Sequence, residues 1–234
     1  MDILFGPIFN PLQAFSVVLK ILGVLIMCAS VAFLARRNEV GWWLAMGSFA
    51  LEIPGAMLTL PYSLIGSAPE LLAYGVSVSL TSLVGVGASI YGLSRFWQAP
   101  ANGPLVRRIA LRTFHPRDLV APALVALLYA VCYVLPLVVL ERVLAASRSL
   151  AGLPLAQLLL SGFCIGLLVG GLAGLARRSR WAWLLVAVSS LVSLLGVAAA
   201  TQGSVLVFLF MAQAVLAVYG FVVWGRIRAV SGRR

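Results

Sequence analysis

Charge is scarce in this sequence: 10% of its 234 residues are charged, and only 6 are Asp or Glu. There is 1 histidine, His115, in front of Pro116, and the 3 cysteines (Cys28, Cys132, Cys164) stand singly in separate apolar stretches. No CxxC or Cys/His spacing exists, so the sequence offers no metal or redox centre and calls for no cofactor. With one histidine and few carboxylates, no Ser/His/Asp or His/Glu arrangement can be assembled, so the expectation is that the chain is not an enzyme. His115 reads as a solvated loop residue. Long polar stretches are missing too, which leaves no room for a separate soluble domain.

Apolar runs fill that space. The chain is 62% hydrophobic with a mean hydropathy of +1.08, outside the range of soluble globular domains. Its length holds about seven spans of ~20 residues, which we place at 13–35, 41–60, 71–95, 119–140, 153–175, 181–201 and 204–225. Met1 to Phe15 carry Asp2 but no Lys or Arg, so no cleaved leader is expected. The net charge of +11 is concentrated on one side. Arg36, Arg37, Arg95, Arg107, Arg108, Arg112, Arg117, Arg177, Arg178, Arg180, Arg226, Arg228, Arg233 and Arg234 follow or flank odd-numbered spans. Only Arg142 and Arg148 oppose them, and Lys20 lies within the first span. By the positive-inside rule this predicts an N-outside, C-inside protein whose arginines contact anionic lipid heads. No free basic surface is left for nucleic acid. The six tryptophans fall at inner span ends and read as one aromatic belt. Gly85-Val-Gly87 begins a GxGxxG-like pattern, but inside an apolar span with no preceding strand, so dinucleotide binding is dismissed.

The halves repeat. Arg36-Arg37 then Trp42-Trp43 lead to Tyr91-Gly92, while Arg177-Arg178 then Trp181 and Trp183 lead to Tyr219-Gly220. Three spans leave the chain on the far side of the bilayer, so one extra span is required if both halves insert the same way. The expected architecture is therefore all-α, a 3+1+3 parallel repeat. Residues 1–97 form the first three-helix repeat, 98–148 a basic inner loop and linker helix, and 149–234 the second repeat with a basic tail. The outer loop 61–70 reads as turn-rich, and Val106–Phe114 as a short interfacial helix.

Few residues within the spans are polar. Glu52 sits near the middle of span 2, where an ionised carboxylate facing lipid is costly, so it should face the bundle interior. Pro54 frees the carbonyl of Ala50, which a protonated Glu52 would reach. Lys20 and Glu52 both lie ~12 Å below the outer surface at 1.5 Å per residue. Three readings stay open: an ion pair, a snorkelling Lys20 beside a neutral Glu52, or direct contact of Glu52 with substrate or proton. Gln213 needs an interhelical partner or a wet cavity; Ser79, Thr81, Ser82, Ser189, Ser190 and Ser193 can satisfy themselves on their own helices. Phe49, Tyr129, Tyr133, Phe208 and Phe210 are midplane aromatics open to packing or stacking. Gly162, Gly166, Gly170 and Gly174 share one helix face, expected to pack tightly and open also to a sliding role.

The stretches RRSRWAWLLVAVSSLVS and MAQAVLAVYGFVVWGR, with LARRNEVGWWLAMGSFALEI running to ASIYGLSRFW, resemble the PnuC-type vitamin transporters over roughly residues 20–97 and 155–226. The resemblance implies a seven-helix fold related to the SWEET sugar carriers, in the cell (inner) membrane. It implies facilitated diffusion of nicotinamide riboside, thiamine or riboflavin, with cytosolic phosphorylation trapping the product. It points to Trp181 and Trp183 as ring-stacking residues, although interface anchoring stays open for both. It places polar contacts near Ser190, near Phe210 and Gln213, and near Ser82, and it suggests a trimer. With Glu52 these make the expected substrate site, lined by helices 2, 3, 6 and 7. Two rival readings are a SWEET-like sugar carrier and a membrane assembly protein that docks through its glycine run.

Overall fold

A backbone surrounded by hydrocarbon must satisfy its own hydrogen bonds, which restricts apolar runs of this length to helices or closed barrels. The computed structural model describes residues 11–57, 69–98, 117–144, 155–200 and 205–231. His115, the segment Val106–Phe114 and positions 61–68 of the outer loop lie outside those residues. Seven helices account for nearly all of what is described: α1 (Pro11–Ala35), α2 (Val40–Met57), α3 (Pro69–Trp97), α4 (Arg117–Leu144), α5 (Leu155–Ala176), α6 (Ala182–Ala200) and α7 (Val205–Ser231). They match the seven expected spans to within a few residues. Four contain stretches long and apolar enough to cross a membrane: Val18–Ala35, Gly75–Trp97, Leu119–Val139 and Val205–Arg226. The chain is a multi-pass membrane protein.

Short loops join α1 to α2 and α5 to α6, and both begin with the same helix cap. Arg37 (φ 59°) and Arg178 (φ 64°) adopt the left-handed conformation. Asn38 N–H then donates to Phe33 O at 3.0 Å, and Ser179 N–H to Gly174 O at 3.1 Å. This is the six-to-one closure that usually takes glycine at its left-handed position. Asn38 Oδ1 also accepts from Val40 N–H at 3.0 Å and so caps the start of α2.

The helices form a closed ring in which each packs on the next and α7 returns to α1; a further contact joins α3 to α5. Hydroxyls tie neighbours together. Ser48 donates to Gly23 O at 2.8 Å and Ser189 to Ile165 O at 3.0 Å, so α2 is bonded to α1 and α6 to α5. The glycine run of α5 faces α4: a Cβ on Gly166 would come within 2.7 Å of Ala126 O, and one on Gly162 within 3.2 Å of Ala130 Cα. Outward-facing Leu124, Leu127, Leu128, Val131 and Leu135 on α4, and Val205, Phe208, Met211, Val215 and Val218 on α7, form apolar stripes suited to lipid.

The tryptophans do not make one belt. Trp43, Trp97 and Trp181 are exposed at the arginine-rich end, whereas Trp42, Trp183 and Trp224 are buried in the core. The reason is a glycine opposite each of two rings. Trp42 lies over Gly92, and Trp183 lies where a Cβ on Gly220 would come within 2.7 Å. Trp183 meets Trp224 edge-on at 5.6 Å, and the Trp224 indole N–H donates to Ala35 O at 3.2 Å. Arg37 extends over the Trp224 ring at 5.8 Å. Its Nε and one terminal nitrogen are buried without a hydrogen bond, and burial pushes the guanidinium below its ordinary value.

Candidate functional site

Packing is uneven along the ring axis. On α1 to α3 and α5 to α7, the core residues lie nearer the arginine loops and the walls of an internal chamber lie further from them. Only Met27, Phe49 and Val169 belong to both the buried cluster and the wall. The chamber holds about 460 Å³, within the range of small-molecule sites. Leu172, Trp183, Val186 and Trp224 close it off at the arginine end.

Most of the wall is apolar, and the polar groups in it are few. Glu52 on α2, Gln213 on α7 and Lys20 on α1 line it with Ser48, Thr81, Ser189 and Ser193. Glu52 Oε2 accepts the Ser82 hydroxyl at 3.1 Å; no contact to the Ala50 carbonyl is needed to explain its position. Lys20 shares that wall with Glu52. Gln213 is only 2% exposed, yet among the described residues its amide makes no hydrogen bond. Such a group is expensive unless a ligand or water meets it. The hydroxyls of Ser48, Thr81 and Ser189 are instead taken by backbone carbonyls.

All seven helices reach the wall, not only the four expected. Helix α4 supplies Tyr129 and Tyr133, and α5 supplies Ile165, Leu168 and Val169. The sequence marked both tyrosines as midplane aromatics, but nothing in it shows that α4 packs inward through the glycine face of α5. Phe49 and Phe210 complete the aromatic part of the wall; Phe208, 62% exposed, does not face it.

The structure therefore gathers Glu52 and Gln213, with Ser82 held to Glu52. It does not bring the other three expected residues to the chamber. Ser190 is buried and donates to Val186 O on its own helix at 2.8 Å. Trp183 is fully buried in the closed end. Trp181 is exposed and meets Phe221 at 5.6 Å, beside Arg180, which stacks on Phe221 at 3.8 Å.

These features define a helical membrane protein with a partly open, aromatic-lined chamber. No protein-family model and no curated protein sequence matches the chain. The fold is similar to that of the crystal structure of the vitamin B3 transporter PnuC, with a TM-score of 0.54 at 14% sequence identity over 97% of this chain and 95% of that one.

Proposed function

We propose that the chain is a facilitated-diffusion carrier for a small aromatic vitamin or its nucleoside, nicotinamide riboside first and thiamine or riboflavin next, with cytosolic phosphorylation trapping the product. The observation that carries this reading is the chamber itself, whose wall combines aromatic rings with the buried amide of Gln213. A flat heteroaromatic ring stacks on the first, and its amide or ribose hydroxyls satisfy the second. The fold shared with a vitamin B3 transporter supports the same class.

Two like-oriented three-helix halves supply the moving parts. Exchanging α1 with α5 and α3 with α7 turns the α1–α7 contact into the α5–α3 contact, and both are present. The matched left-handed caps and the two tryptophan–glycine packings repeat in the same way. This supports a parallel repeat about an axis along the membrane normal. The arginine-rich end then faces inward, and the chamber is sealed from that side.

The sugar-carrier reading has less support, since a sugar needs more hydrogen bonds than this wall provides. The assembly reading loses its docking face, because α4 already covers the glycine run. The test is uptake of labelled nicotinamide riboside, thiamine and riboflavin into vesicles containing the purified protein. At least one should enter saturably and stop at equal concentrations without an ion gradient. No uptake of any of the three, together with no thermal stabilisation by them, would reject the proposal.

A further inference from the structure

We propose that the chamber selects its cargo by charge: Glu52 is the specificity-determining residue, it favours a flat aromatic ring bearing positive charge, and Lys20 is the cation that holds its place while the chamber is empty. This rests on the carrier reading above and adds what the wall requires of the cargo.

The wall contains two charged side chains, one of each sign, Lys20 and Glu52. The Ser82 hydroxyl fixes one Glu52 oxygen at 3.1 Å. Among the described residues the carboxyl makes no other hydrogen bond, so it keeps acceptor capacity on the chamber side. An ionised carboxylate this deep needs a positive partner, because an unpaired one is strongly disfavoured away from water. In the empty protein the other charged side chain on the wall is Lys20. Its side chain is exposed, and its long stem lets the ammonium withdraw toward the interface when another cation arrives. A cationic cargo replaces it with no loss of charge balance. A neutral cargo of the same shape must either share the space with Lys20 or leave Glu52 uncompensated. Tyr133 and Phe210 add to the preference, since ring faces attract a cationic ring more than a neutral one.

The test uses two molecules that differ in charge and little in shape: nicotinamide riboside, whose pyridinium ring is permanently positive, and its neutral 1,4-dihydro form. Affinities of the full-length protein are measured by titration calorimetry, and uptake of both forms in vesicles. The wild type should bind the cation about tenfold tighter or better, in line with the loss that follows when one member of a buried charge pair is left alone. Glu52→Gln keeps an acceptor for Ser82 and should erase that preference, the cation losing affinity relative to the neutral form. Equal binding of both forms by the wild type, or a preference that survives Glu52→Gln, overturns the charge inference and leaves the carrier reading standing. Binding of neither form by a protein that takes up thiamine or riboflavin overturns this inference alone; refusal of all of them removes the carrier reading, and this inference with it. If Glu52→Gln fails to fold, the wild-type comparison and Lys20→Met decide. Removing the internal competitor should tighten cation binding, and weaker binding overturns the placeholder role.

Discussion

Trp183 and Trp224 pack against each other at the closed end, yet only one of them has a partner for its indole N–H. Trp224 donates to Ala35 O, whereas the Trp183 Nε1 is buried with no acceptor. Replacing Trp224 by Phe strands a carbonyl and should cost about 1–3 kcal/mol. Trp183→Phe removes an unmet donor along with its ring volume, so its loss should be the smaller of the two when thermal unfolding in detergent is compared. Gln213→Leu follows the same logic in the opposite direction. The empty protein should melt no lower than wild type, while cargo affinity should fall by about 1–3 kcal/mol, or about 5–150-fold, as a hydrogen bond to the cargo is lost. A lower melting point with unchanged affinity would show that the amide is structural. Glu52 and Gln213 were legible in the sequence because a lone polar residue in an apolar span has so few tolerable places. Trp181, Trp183 and Ser190 were not. An aromatic residue at a helix start serves as anchor, core or stacking platform alike, and what decides is Gly220 on another helix.

Helix packing is where the glycines act. A Cβ on Gly166 would meet the Ala126 backbone oxygen at 2.7 Å, and backbone cannot step aside as a side chain can; around Gly87 nothing lies within 4 Å. Gly166→Ala should therefore destabilise by about 1–3 kcal/mol, as overpacking does. Gly87→Ala should be neutral or stabilising by up to about 1 kcal/mol. Equal melting temperatures for the two variants would contradict the close approach of α4 to α5. The four-residue spacing of these glycines announced a packed face, but their partner could not be read from it. The matching caps at Arg37 and Arg178 were half legible. The paired arginines stood out, but their left-handed backbone, a conformation more often given to glycine, did not.

At the scale of the molecule, the count and ends of the helices came from hydropathy alone, because a bilayer imposes a length on every span. The return of α7 onto α1 and the inward reach of α4 left no periodic trace, since they join residues far apart in the chain. The proposed orientation has its own check. In a chain freed of Cys28, Cys132 and Cys164, a thiol placed by Gln98→Cys at the exposed arginine-rich end should react with a membrane-impermeant maleimide only after cells are opened. Labelling of intact cells would reverse the assignment.

The tryptophan-filled end also makes the two faces of the protein pharmacologically unequal. A ring that fits among Phe49, Tyr129 and Phe210 but drags a bulky tail cannot pass Trp183 and Trp224. In the carrier proposed above it would lodge from the arginine-poor face and inhibit from one side of the bilayer only.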